Sequence, residues 1–114
     1  MALKLMPGET RNYAFKLPVA VSAINTVNVR FFQNDEKIVE YDNTKADNVY
    51  GSSSDAFLLF CVLPREDTLK FENNVRGYCQ IEWESGGYHS VAKAQRIVVG
   101  NYHNREYADG GTIK

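Results

Sequence analysis

The sequence predicts an all-β fold, a sandwich or small barrel of about seven short strands. Three observations carry this. Apolar and polar residues alternate with period two in several segments. Turn-forming Gly, Pro, Asn, Asp and Ser fall between those segments. No stretch of 11 or more residues sustains the i, i+3, i+4, i+7 spacing of an amphipathic helix.

Taken in order, Thr10–Leu17 places Tyr13, Phe15 and Leu17 on one face and Asn12, Ala14 and Lys16 on the other. Pro18 ends it, because proline has no N–H for the ladder. Ile24–Gln33 puts Val27, Val29 and Phe31 together, with Asn28 and Arg30 opposite. Asn34-Asp35 then tolerates the left-handed backbone of a tight hairpin turn, and Glu36–Asp42 returns as the partner strand. Residues 43–55 are polar and read as a long loop with a short edge strand at Asn48–Tyr50. Ala56–Leu63 is the longest unbroken apolar run, eight residues. It reads as a central strand covered on both faces.

Pro64 stops that strand. Arg65-Glu66-Asp67 reads as one helical turn, a corner between sheets, with Asp67 or Thr68 available to bond nearby N–H groups. Leu69 and Phe71 then return to the core. Val75–Glu84 alternates Cys79, Ile81 and Trp83 against Tyr78, Gln80 and Glu82. Ser85-Gly86-Gly87 is a hairpin turn, and Tyr88–Val99 is the return strand. Its apolar residues change register partway, with Val91, Ile97 and Val99 in one phase and Ala92, Ala94 and Val98 in the other, so a bulge is expected within it. The pieces assemble into one domain over 10–100, with an N-terminal arm over 1–9 and a polar C-terminal tail over 101–114.

Composition narrows the function. The chain has 114 residues, 44% hydrophobic and 24% charged, with a net charge of −1. That is the mix of an ordinary globular domain, and the charge argues against nucleic acid or an anionic membrane as partner. An apolar run of eight is far short of the roughly 20 residues a membrane helix needs. Met1–Pro7 is too interrupted for a secretory segment, so the expectation is a protein made in a cytoplasm. Cys61 and Cys79 sit in strand-like segments and read as two buried, reduced thiols. His89 and His103 lack a neighbouring ligand pattern, and no metal or cofactor is expected. Glu66 and Asp67 are sequence neighbours, which seldom lets two carboxylates face one another as acid and base. No catalytic residue is assigned, and the chain is expected not to be an enzyme.

One arrangement of residues points further. Leu63–Phe71, carrying Glu66-Asp67-Thr68-Leu69-Lys70-Phe71, is followed by Tyr78–Trp83, Gly86-Gly87 and the valine-rich Ser90–Val99. Together with the early hairpin Val27–Tyr41, this resembles small immunoglobulin-like structural proteins of tailed bacteriophages, among them the N-terminal domains of upper baseplate proteins. The resemblance spans about residues 10–100. It implies an immunoglobulin-like antiparallel β-sandwich in a non-enzymatic part of the virion, made in the host cytoplasm. That part would be a head decoration or a tail or baseplate component. Its partners would be other virion proteins, such as the major capsid or tail proteins, in a multi-copy or homo-oligomeric assembly.

The ends are the candidate partner-binding segments. Leu3 and Leu5 make the arm apolar, and Tyr102, Tyr107 and Ile113 stand in an otherwise polar tail. Tyrosine offers contact area with few rotamers and a polar tip. Two other readings compete. One is a carbohydrate- or peptide-binding module using Trp83, Tyr88 and the 43–55 loop, although Trp83 lies on the apolar face of its strand. The other is a single-strand nucleic-acid binder stacking bases on Tyr and Phe, which the net charge disfavours.

Overall fold

A computed structural model describes residues 3–43 and 48–102. Nine strands are described: β1 (Leu3–Leu5), β2 (Arg11–Lys16), β3 (Thr26–Gln33), β4 (Glu36–Asp42), β5 (Val49–Gly51), β6 (Leu58–Leu63), β7 (Gly77–Ser85), β8 (Tyr88–Val91) and β9 (Gln95–Val99). A 3-10 turn covers Val21–Ala23, and a single helical turn, α1, covers Arg65–Thr68. The larger sheet runs β1-β9-β7-β3-β4, with β8 also on β7; the smaller runs β2-β6-β5. In immunoglobulin lettering β9-β7-β3-β4 is G-F-C-C′ and β2-β6-β5 is B-E-D, the Greek-key arrangement of a variable-type domain. The fold is therefore an immunoglobulin-like β-sandwich. Its ladders are antiparallel except for β1, which pairs parallel to β9 from Leu3↔Ile97 to Leu5↔Val99.

The alternation seen in the sequence becomes the core. Tyr13 and Phe15 of β2, Val27, Val29 and Phe31 of β3, and Cys79, Ile81 and Trp83 of β7 are all buried. Phe31 sits at the centre with no exposed surface. Its ring lies 6.2 Å from those of Tyr13, Tyr41 and Phe71. The hairpin turn is where the residues require it, with Asn34 and Asp35 both at positive φ (52° and 62°).

The 64–74 connection is a corner. Thr68, fully buried, donates from its hydroxyl to the Glu9 carbonyl (2.6 Å) and accepts from the Gly8 N–H (3.1 Å). Asp67 accepts from the Tyr41 hydroxyl (2.6 Å) and pairs with Lys70. Gln33, also buried, donates to the Glu72 and Val75 carbonyls and accepts from the Glu72 N–H. The buried polar side chains of this corner, Thr68 and Gln33, are thus matched by partners.

Three expectations change. The arm is not separate over residues 3–9: β1 closes the edge of the large sheet and Leu5 is 2% exposed. The Gly100 N–H donates to the Leu5 carbonyl, and the Tyr13 hydroxyl to that of Lys4. The apolar run is not covered on both faces. Ala56 and Phe57 precede the strand and are exposed, and β6 buries only Leu59, Cys61 and Leu63. Leu58, Phe60 and Val62 face outward on a sheet that no described element covers, and each is half-buried by its neighbours. Finally, the count is nine strands rather than about seven, because β1 is added and the return strand divides in two. Glu82 opposes Val91 in β8, but Cys79 opposes Gln95 in β9, so one extra residue is inserted across Ala92–Ala94. This is the expected bulge, and it explains why Ala92 and Ile97, of opposite parity, both reach the core.

Candidate interaction surface

Strand β7 organises the outer face of the large sheet. Burying Cys79, Ile81 and Trp83 obliges Tyr78, Gln80 and Glu82 to face out. The register places Tyr78 beside Phe32 on one side and Arg96 on the other, and Glu82 beside Asn28 and Val91. The bulge then turns Arg96 and Val98 outward while Ile97 and Val99 point in. Tyr78 (44%), Val98 (51%) and Val91 (56%) remain well exposed on this face.

Charge divides the face in two. Toward β4, Arg30 lies between Glu40 (2.8 Å) and Glu82 (3.1 Å), and Lys37 also meets Glu40 (2.8 Å). The Lys37 and Arg30 hydrogen bonds hold the Glu40 carboxyl down to about 2. Toward β9 the pattern reverses. Ten of the basic side chains belong to described residues, since Lys45, Arg105 and Lys114 do not. Five of the ten pair with carboxylates: Arg11, Lys16, Arg30, Lys37 and Lys70. Of the five with no ion pair among the described residues, three line one open depression of about 950 Å³: Arg76, Lys93 and Arg96. Tyr78, Ala92, Ala94 and Gln95 complete its lining, which contains no carboxylate.

The residues expected to bind a partner are placed as follows. Leu3 is half-buried against the core and Leu5 is inside it, so Leu5 has no surface to offer. The Tyr102 ring packs on Gly8, whose positive φ (95°) and missing Cβ make the room; its carbonyl accepts from the Asn73 side chain (3.0 Å). Tyr107 and Ile113 lie outside the described residues, as does His103. Leu5 and Tyr102 thus serve this chain's own packing. His89 is exposed on β8. Among the described residues no group of three or more His, Cys, Asp and Glu is placed to hold a metal. Cys61 and Cys79 are buried free thiols, and burial pushes the Cys61 thiol up to about 12.

Sequence reasoning missed Arg76, Lys93 and Arg96. Arg76 and Arg96 stand 20 residues apart and meet only through the β7–β9 register. The change of parity in the return strand was the signal that could have turned Arg96 to the same side as Tyr78.

Neither a protein-family model nor a curated protein matches this chain. Among solved structures it is similar to the immunoglobulin-like domain of mouse leukocyte-associated immunoglobulin-like receptor 1, crystallised as a strand-swapped dimer. That match has 10% identity, covers 88% of each chain and has a TM-score of 0.48. It is also similar to the NK cell receptor Nkp44, a triggering partner in natural cytotoxicity, with 15% identity over 88% of this chain and 99% of that one and a TM-score of 0.44.

Proposed function

We propose that this chain is a non-enzymatic structural accessory protein of a tailed-bacteriophage virion, made in the host cytoplasm and acting by protein–protein docking on the particle. The observation that carries the docking reading is the β9 side of the large sheet. Tyr78, Val91 and Val98 are exposed there beside three basic side chains that have no ion pair among the described residues. Apolar and charged groups left uncovered together are typical of a surface completed by another protein. The sequence resemblance over residues 10–100 supports the virion setting, and a small sandwich repeated on a lattice fits a head decoration or a tail or baseplate component. Its partners would be the surrounding capsid or tail proteins. The carbohydrate- or peptide-binding alternative loses Trp83, which is 5% exposed and packs in the core, and keeps Tyr88, which is 79% exposed. Immunogold labelling of purified particles with an antibody to this chain tests the proposal. Label on the head or tail is expected, and particles without label would overturn it.

A further inference from the structure

We infer that the depression between β7 and β9 binds an acidic peptide segment of a partner protein, with carboxylates seated on Arg76, Arg96 and Lys93. This deepens the docking reading above and rests on it. Three positive charges share one lining with no carboxylate, so they repel one another in the free chain and an anion relieves that repulsion. Arginine favours a carboxylate, because its planar fork matches two oxygens at once. Backbone geometry adds donors at the same place. The bulge leaves the N–H groups of Lys93 and Ala94 with no backbone acceptor among the described residues. The Tyr78 ring, 44% exposed, gives an apolar stem something to lie on. Ala92 and Ala94 keep the walls low.

The occupant is a short acidic segment rather than a nucleic-acid strand. A strand needs a basic stripe along which successive phosphates are met. Here the basic region is bounded on the same sheet face by Glu82 and Glu84 of β7. A polyanion that continued past Tyr78 would run into those carboxylates, whereas a peptide carrying only a few acids ends before them.

The test is a fluorescence-anisotropy titration of the full chain at low salt with a labelled oligo-glutamate peptide, alongside oligo-lysine and oligothymidylate of equal length. Oligo-glutamate is expected to bind, and added salt to weaken it. Arg96→Glu and Arg76→Glu are each expected to weaken binding about tenfold or more. Arg65→Glu removes the same charge from outside the depression and is expected to leave affinity unchanged. Arg76 and Arg96 have no ion pairs among the described residues, so their Gln variants should melt like the parent and should still lose affinity. Binding that ignores Arg76 and Arg96, or that falls equally with Arg65→Glu, overturns the assignment. So does binding of oligothymidylate in preference to oligo-glutamate. The docking reading fails separately, by absence of the parent chain from purified particles, which the titration does not involve.

Discussion

The two outer faces of the sandwich are built from the same alternating pattern and end up as different surfaces. On the small sheet Leu58, Phe60 and Val62 face out and are half-buried by their neighbours. The Tyr50 ring stacks on Phe60 with centroids 5.3 Å apart, and Asn12 donates to the Tyr50 hydroxyl. Lys16 meets Asp55 at 2.7 Å and lies 6.0 Å from the Phe57 ring. On the β9 side of the large sheet, Tyr78 and Val98 are as exposed as Phe57 or more so, but the cations beside them have no such partners among the described residues. Both sides leave large apolar residues exposed; local satisfaction of charge differs. Outward apolar residues are ordinary on their own, so the cations with no ion pair among the described residues distinguish the proposed docking face.

The sharpest way to break the comparison is to substitute a buried position of β6 and an exposed position just before it. Leu59 is 1% exposed and Phe57 is 43% exposed, two positions away. Leu59→Asp buries an unpaired charge at a cost of several kcal/mol, against a total stability of roughly 5–15 kcal/mol. It should prevent folding. Phe57→Asp loses one cation–π contact and should cost about 1 kcal/mol or less. Circular dichroism melts of the two variants check this. Equal damage would mean that Phe57 is as buried as Leu59.

The next effect sharpens the distinction between an arm and a strand. Leu5→Ala should lower stability by about 2–4 kcal/mol, because its side chain is core and its removal leaves a cavity. Leu3→Ala, half-buried at the edge, should cost less than half as much. Urea unfolding of both variants measures the ratio. Two equally mild effects would make β1 a loosely held arm.

These two tests mark where the sequence was legible. Period two alone located the inward residues of β2, β3 and β7, since alternation is a local consequence of the pleat. It also located the turn at Asn34-Asp35 and the corner after Pro64, which depend on residues adjacent in sequence. It misread Ala56–Leu63, because an unbroken apolar run does not say whether a second layer covers its outer half. It missed β1, because Leu3–Leu5 finds its partner more than 90 residues away at Ile97–Val99. The basic depression was illegible for the same reason. Arg76, Lys93 and Arg96 are scattered along the chain, and only a ladder interrupted by a one-residue bulge brings them together.

A smaller effect concerns the clasp that holds the N-terminal segment to the corner. Thr68→Val keeps the side-chain shape but removes the hydroxyl that bonds both Gly8 and Glu9. The part-buried Glu9 carbonyl and Gly8 N–H lose that partner, at about 1–3 kcal/mol. Thr68→Ser keeps the hydroxyl and should recover most of the loss. Amide exchange at Gly8 should quicken in the Val variant and stay slow in the Ser variant. Slow exchange in the Val variant with quickened exchange in the Ser variant would assign the Thr68 effect to its methyl group.

The smallest effect compares the two halves of the large sheet's outer face. Glu40 is held at about 2 by Lys37 and Arg30, below its ordinary 4.5. A carboxyl depressed on folding contributes stability that is fully present above its unfolded value. That contribution is lost as pH falls through the folded value. The window is therefore pH 4.5 down to about 2. The ion pairs are partly exposed, so solvent and salt screen them and the contribution is modest. Melting temperatures of the parent and of Glu40→Gln should differ most above pH 4.5 and converge toward pH 2, and the gap should narrow in high salt. Arg96→Gln, on the unpaired half, should leave the melting temperature unchanged across the same range. If Glu40→Gln shows a constant gap at all pH values, the substitution acts through packing rather than charge. If Arg96→Gln tracks pH as Glu40→Gln does, Arg96 has a carboxylate partner within this chain and the two halves of the face are alike.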